Sequence, residues 1–297
     1  MNITANMVKE LREKTGAGMM ECKKALVETN GDVEAAVKYL REKGIAKAAK
    51  RASKIAAEGL CDIVIKDNEA VVFELNSETD FVAKNSRFVE VLHLVGQALI
   101  NNQVQTVEDA QNLVYEGKTI TNHLVDATAT IGEKITLRRF VRIHKNPNQI
   151  FGHYKHMGGR IASLTVVEGD HLVAKDIAMH VAASKPLFLD AASVDQKVLA
   201  DEKSIITEHA LNENKEAAKP KPQNVLDKII EGRVNKYLEE ITLVNQPFFK
   251  DPNIKVAQFL SSHKGHVVSF NRLEVGEGIE KEVTDFAAEV ASVVGLK

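Results

Sequence analysis

The chain has 297 residues, enough for two modest domains or for one with appendages. Hydrophobic residues make up 44% and charged residues 27%, so it can bury a core. A formal charge of −2, with no long block of one sign, argues against nucleic-acid binding driven by phosphate neutralisation.

No apolar run approaches a membrane span. The amphipathic start, M-N-I-T-A-N-M-V-K-E-L-R-E-K, lacks the apolar core and cleavage site of a signal peptide, and its acidic residues disfavour an organelle transit peptide. A cytoplasmic protein is expected. Cys22 and Cys61 are the two cysteines; both are expected to be reduced, and two cannot build a zinc site alone.

Three short helices are predicted first. Met7, Val8 and Leu11 mark one, which T-G-A-G at Thr15–Gly18 breaks, because glycine admits positive φ. Met19, Met20, Ala25 and Leu26 belong to the second. Asn30-Gly31-Asp32 forms a turn ending in an N-cap. Val33, Ala36, Val37 and Leu40 follow at helical spacing, with Gly44 as the stop. Residues 1–44 therefore read as a small docking module. Residues 45–58 read as a linker helix, whose Lys47, Lys50, Arg51 and Lys54 could alternatively touch phosphate; no aromatic residues interleave for base stacking.

Residues 59–145 read as the first half of a core. A hairpin, Leu60–Lys66 and Glu69–Leu75, turns at Asp67-Asn68. The apolar run Ala70–Leu75 leads into N-S-E-T-D-F-V-A-K-N, Asn76–Asn85, and a helix is predicted from Phe81 to about Ile100. Helices over Val107–Glu116 and Ile120–Thr130 and a strand over Lys134–Ile143 complete the half. Residues 146–275 repeat the plan: strands Gln149–Met157 and Arg160–Val167, a helix His171–Ser184 carrying Val173, Ile177 and Val181, then a helix Lys255–Ser262 and a strand His266–Val275. The expected fold is α+β, two related halves with helices on one face of a small antiparallel sheet. A helical hairpin at 193–240 interrupts the second half, with Val194, Val198, Ile205 and Leu211 facing Val225, Ile229, Ile230, Val234 and Leu238. It is a partner tether, a dimer arm or a solvent-facing elaboration. Residues 276–297 form a C-terminal module, with a helix expected from Thr284.

No nucleotide-binding glycine loop, nucleophile elbow or metal cluster is found, so no enzyme and no cofactor are expected. His153 and His156 sit in a strand pattern that faces them to opposite sides. His180 reads as a satisfied core histidine. At the strand-to-helix handover, Thr79 and Asp80 are natural N-cap residues, and Phe81 follows at the first turn. Locally the bland reading leads: Asp80 caps, and Phe81 packs on Asn85 or Phe88. Thr284-Asp285-Phe286 repeats the same local chemistry, so T-D-F alone does not specify a site.

Several longer motifs, in order along essentially the whole chain, resemble the bacterial elongation factor Ts family. They are T-G-A-G-M-M-E-C-K-K-A-L (Thr15–Leu26), N-G-D (Asn30–Asp32), E-T-D-F-V-A-K-N (Glu78–Asn85), I-A-M-H-V-A-A-S-K-P (Ile177–Pro186), N-Q-P-F (Asn245–Phe248) and V-G-E-G-I-E-K (Val275–Lys281). The resemblance implies a ubiquitin-associated-like (UBA-like) three-helix domain, a duplicated α+β core, a helical hairpin and a C-terminal module. It implies guanine-nucleotide exchange on elongation factor Tu in its GDP-bound and nucleotide-free states. Thr79, Asp80, Phe81 and Val82 would form a tip that enters the partner and disturbs its Mg²⁺ and phosphate site. Arg12, Met19, Met20 and Lys23 would dock the small domain, His156 and Phe249 would hold another partner domain, and the hairpin could join a homodimer or a 2:2 complex. Lys250, where the family often has a small apolar residue, and the bend Lys219-Pro220-Lys221-Pro222 depart from the family pattern.

Overall fold

The computed structural model describes residues 3–280, which fall into two compact units. The first takes in the chain up to Ile65, Phe73–Arg142 and the stretch from Leu273 onward; the second takes in Lys66–Val72 and Ile143–Arg272. The C-terminal helix expected from Thr284, and the second T-D-F, lie outside the described residues.

The first unit opens with α1 (Ala5–Thr15), α2 (Met19–Glu28) and α3 (Val33–Arg51). Thr4 caps α1 by accepting from the Met7 N–H, and Gly16 ends it in the left-handed region at φ 67°. Of the two glycines expected to break the helix, only Gly16 uses positive φ; Gly18 lies at −62° and starts α2. Asp32 caps α3 by accepting from the Ala35 N–H. Val8, Leu11, Cys22, Ala25, Leu26 and Ala36 form the shared core of the three helices. Gly44 does not stop α3, which runs on to Arg51. It is instead where α3 meets a later helix: a Cβ at this position would come within 3.0 Å of the Ala129 Cβ. Helix–helix approach, not termination, explains the missing side chain.

Next come β1 (Glu58–Lys66), β2 (Glu69–Ser77), α4 (Asp80–Ala83) and α5 (Ser86–Asn101). The helix expected from Phe81 to Ile100 is therefore interrupted. Lys84 and Asn85 intervene, and Asn85 caps α5 by accepting from the Arg87 N–H. The expected helix over 107–116 is also shorter. After α6 (Val107–Asn112) the chain makes a small ladder, β3 (Val114–Tyr115) with β4 (Lys118–Thr119), around Glu116 and Gly117, both at positive φ. Then follow α7 (Ile120–Ile131), closed by Gly132 at φ 91°, and β5 (Thr136–His144).

The sheet order is β1-β2-β5, so β2 is central. This explains why Ala70 to Leu75 are all buried and why Glu74 among them is fully buried too. The Glu74 carboxylate accepts from Arg138 Nη1 (3.0 and 3.2 Å), Arg139 Nε (2.6 Å), Asn76 Nδ2 (3.0 Å) and the Gly276 N–H (2.8 Å). Burial alone would raise its pKa. The Gly276 N–H, Asn76 and the two arginines outweigh that and hold it below the ordinary value. Gly276 makes this contact at φ 74°, where a Cβ would lie 2.2 Å from the Ala57 carbonyl oxygen. The V-G-E-G stretch is thus a closure on Glu74 that only glycine fits.

In the second unit, β6 (Ile150–His156) pairs antiparallel with β7 (Ile161–Glu168), placing Phe151 opposite Val166 and His156 opposite Ile161. Met157, Gly158 and Gly159 turn between them, all at positive φ. Then come α8 (His171–Ser184), α9 (Gln196–Glu216), α10 (Gln223–Ile241), β8 (Pro247–Phe248), β9 (Asp251–Lys255), α11 (Val256–Ser262) and β10 (His266–Glu274). The order β10-β7-β6 again makes the second hairpin strand central and puts a later strand on its far side, as in β1-β2-β5. The sheets and helices make the chain α+β. Val173, Ile177 and Val181 of α8 pack with Val167, Leu243, Phe248, Phe259 and Val267.

The contact between α9 and α10 differs from expectation. Its buried residues are Ala210, Leu226 and Ile230, with Ile206 and Val234 beside them. Val198, Ile205, Leu211 and Val225, expected inside, are exposed, while Val194 is buried ahead of α9. The seam follows residues four apart on each helix, 206 and 210 against 226, 230 and 234, so neighbouring apolar positions turn outward.

His180 is fully buried on α8. Its Nδ1 accepts from the Phe249 N–H at 3.3 Å, so the proton sits on Nε2, which donates to Gln246 Oε1 at 2.9 Å. Burial pushes its pKa below the ordinary 6.5, with Gln246 pulling partly the other way. A neutral histidine stabilises the fold above the unfolded-state value, and that contribution is lost as pH falls toward the folded value. Between about pH 7 and 5 the unfolding midpoint of the wild type is therefore expected to drop more than that of His180→Gln, measured by urea titration. Glu74→Leu is expected to cost about 3 kcal/mol, because it strands two arginines and a glycine N–H, with partial relief from water at the arginines. A thermal midpoint unchanged from wild type would contradict this.

Candidate functional site

The T-D-F-V tip stands at the end of β2, where Glu74 fixes the strand from inside. Ser77 Oγ donates to the Thr79 carbonyl oxygen at 2.9 Å, bending the chain out of the strand. Two carboxylates then cross-link this bend to the loop after α7. Glu133 accepts from the Thr79 N–H (2.9 Å) and from Thr79 Oγ1 (2.7 Å), and Glu78 accepts from the Lys134 N–H (2.7 Å). Both oxygens of Glu78 also accept from Nη1 of Arg51, the last residue of α3, at 3.1 and 2.8 Å. Lys134 Nζ closes the cluster on the Ala52 and Lys54 carbonyl oxygens, at 2.7 and 3.1 Å.

The local capping expectation fails at this tip. Thr79 occupies the N-cap position of α4, but no side-chain cap bond is made, because its hydroxyl is engaged by Glu133. Asp80 is the first helical residue and lies 3.5 Å from Lys84 Nζ, an exposed pair that contributes little. Phe81 packs on neither Asn85 nor Phe88: it is 80% exposed, whereas Val82 and Ala83 behind it are buried. Burying a phenylalanine would stabilise the fold by roughly 1.5–3 kcal/mol, and the chain forgoes that here. The ring is displayed, on a one-turn helix held by its buried rear and by the Glu78–Glu133 cross-links.

At the start of α2, Met19 and Met20 are 59% and 74% exposed, so they are not core residues of the three-helix unit. Arg12 and Lys23 are exposed as well. In the second unit, His156 is exposed at the end of β6, with its Nδ1 3.3 Å from the Tyr154 hydroxyl and the exposed Met157 next to it. Phe249 is half-buried, edge-on to Phe248 with ring centres 5.2 Å apart. Lys250 lies over the Phe249 ring and pairs with the buried Asp176 at 2.6 Å.

The basic stretch of α3 is partly committed within the unit. Lys47 pairs with Glu21 and Arg51 with Glu78, which leaves less of it for phosphate. Sequence reasoning did not single out Glu78, Glu133 or Lys134. The one local signal was a carboxylate directly after the helix-ending Gly132, a pattern too common to stand out. Among the described residues, no group of three or more His, Cys, Asp and Glu side chains could hold a metal ion, and no helix is long and apolar enough to cross a membrane.

Comparison with known proteins agrees with the motifs. The family model described as "Elongation factor TS" matches residues 78–277. A curated relative from Acholeplasma laidlawii (strain PG-8A), named "Elongation factor Ts", is 55% identical over 296 residues, covering 99% of each chain. With a family model spanning most of its length and a relative this similar from end to end, the chain belongs to the elongation factor Ts family.

Proposed function

We propose that this chain is a guanine-nucleotide exchange factor for elongation factor Tu, and that it works by pressing the Asp80-Phe81 tip into the partner's nucleotide-binding domain. The observation that carries this reading is Phe81 itself: a large apolar ring left 80% exposed at the head of an anchored helix, in a chain of this family. Thr79 and Val82 hold the tip from behind; Asp80 and Phe81 make the intrusion. The target is the partner's Mg²⁺ and phosphate site. Mg²⁺ needs near-ideal octahedral geometry, so a small displacement of its surroundings weakens it sharply. No covalent step is required. By linkage, whatever factor the tip takes from GDP affinity, GDP takes from the affinity of this chain for its partner, so the chain speeds exchange without choosing the nucleotide.

The rest of the surface fits a multi-point grip. The UBA-like three-helix unit docks through Arg12, Met19, Met20 and Lys23. His156 and Phe249 hold a further domain of the partner. The α9–α10 hairpin, with Val198, Ile205, Leu211 and Val225 exposed, offers an apolar face to the partner or to a second copy of the chain in a 2:2 complex. The setting of this activity is the cytoplasm.

The test is release of a fluorescent GDP analogue from purified elongation factor Tu with this chain titrated in. Release is expected to accelerate with concentration and to slow again as Mg²⁺ is raised. Phe81→Ala should slow the maximal release by about 10- to 100-fold, the equivalent of one large apolar contact, with an unchanged circular dichroism spectrum. Release that stays at the intrinsic rate with the wild-type chain would reject exchange, and wild-type acceleration by Phe81→Ala would reject the wedge.

A further inference from the structure

We infer that Glu133, with Glu78 and Arg51, forms a positioning latch for the exchange tip, so that residues far from the tip in sequence set how well it works. The inference rests on the wedge reading of Phe81 and adds what bears its load. A helix of four residues cannot hold itself in shape, since one turn lies below the length at which helices become stable alone. A ring exposed at its head gains nothing from the core. When it is pushed into another protein, the reaction force passes to the backbone of residues 78 and 79. There the chain is gripped in both directions: Glu133 takes the Thr79 N–H and hydroxyl, and Glu78 takes the Lys134 N–H. Hydrogen bonds to an ionised acceptor are roughly twice as strong as neutral ones. Arg51 Nη1, donating to both Glu78 oxygens, adds a third segment, the end of α3. The choice made by Thr79 supports the assignment: as the N-cap residue of α4 its hydroxyl could cap the helix, yet it donates to Glu133.

The experiment uses the full chain and elongation factor Tu loaded with a fluorescent GDP analogue. It reads two quantities: the maximal release rate and the concentration giving half of it. Glu133→Ala is expected to lower the maximal rate about tenfold, the scale on which small misplacements act, while half-saturation moves less than about twofold. Glu133→Gln should restore most of the rate, because its amide oxygen can accept from the Thr79 N–H while its nitrogen donates to the hydroxyl. Hydrogen exchange should show faster opening of the Thr79 amide in Glu133→Ala and near-wild-type opening in Glu133→Gln. If Glu133→Ala does not fold, Arg51→Gln reads the other arm of the latch, with a loss of maximal rate expected there too. A maximal rate within about twofold of wild type in the folded alanine variant, or in Arg51→Gln where it is the one read, overturns the latch. So does a glutamine variant as slow as the alanine one. With Phe81→Ala slowed in the same assay, either result removes the latch and leaves the wedge standing. Phe81→Ala at the wild-type rate removes the wedge and the latch together.

Discussion

The carboxylate of Glu74 has no access to water, and the first unit is arranged around satisfying it. An ionised group in such a place is tolerable only if every lone pair finds a donor. Here β5 supplies two arginines, the strand itself supplies Asn76, and the chain returns from near its far end to supply one backbone N–H at Gly276. The network therefore ties together β2, β5 and the segment after β10. Its position matters as much as its strength. Glu74 lies three residues before Ser77, where the chain leaves the sheet, so the base of the tip is set by the most constrained point of the central strand.

The tip then reverses the usual logic of folding. The apolar side chains of β2 and most of α5 are buried; Phe81, between them, is displayed. Polar groups that would ordinarily finish a short helix are turned backward to tether it. Each departure from local preference costs stability, and together they build a stiff projection. Under the proposed wedge mechanism stiffness is what the tip would need, since a yielding loop would relax before a metal site did. The reciprocal nature of linkage adds a second requirement. Under the same proposal the projection would have to leave as readily as it enters once nucleotide returns, which a protruding ring on a self-contained support would allow.

The order of strands and helices was legible because its signals are local. Hydrophobic spacing marked α1, α2, α8 and most strands, and Asn30-Gly31-Asp32 marked the turn before α3. The repeated plan also pointed to two sheets of like order. What misled were residues whose role is tertiary. Gly44 reads as a stop, yet it is a site of helix contact with Ala129. Apolar spacing alone places Val198 and Ile205 in the α9–α10 seam, whereas the actual seam is narrower and leaves both outside. Asn85, a good cap in its own right, split a helix that hydrophobic spacing had joined. At the tip, Asp80 and Phe81 could be picked out through the family motif, but Glu133 and Lys134 could not. Their partners lie more than fifty residues away in sequence, and no spacing rule connects them.

The uninterrupted α3 has a mechanical meaning. Its 19 residues make a rod of about 28 Å, running from the core of the first three helices to the back of the tip. A hinge at Gly44 would have let the small N-terminal unit swing on a tether, capturing a partner without directing anything else. A single rod ending in Arg51, hydrogen-bonded to Glu78, would act as a lever instead. If the first two helices seat on a partner as proposed, the angle of approach of Phe81 would be set with them, and a chain lengthened or shortened by one residue within the rod would rotate one end against the other by about a hundred degrees.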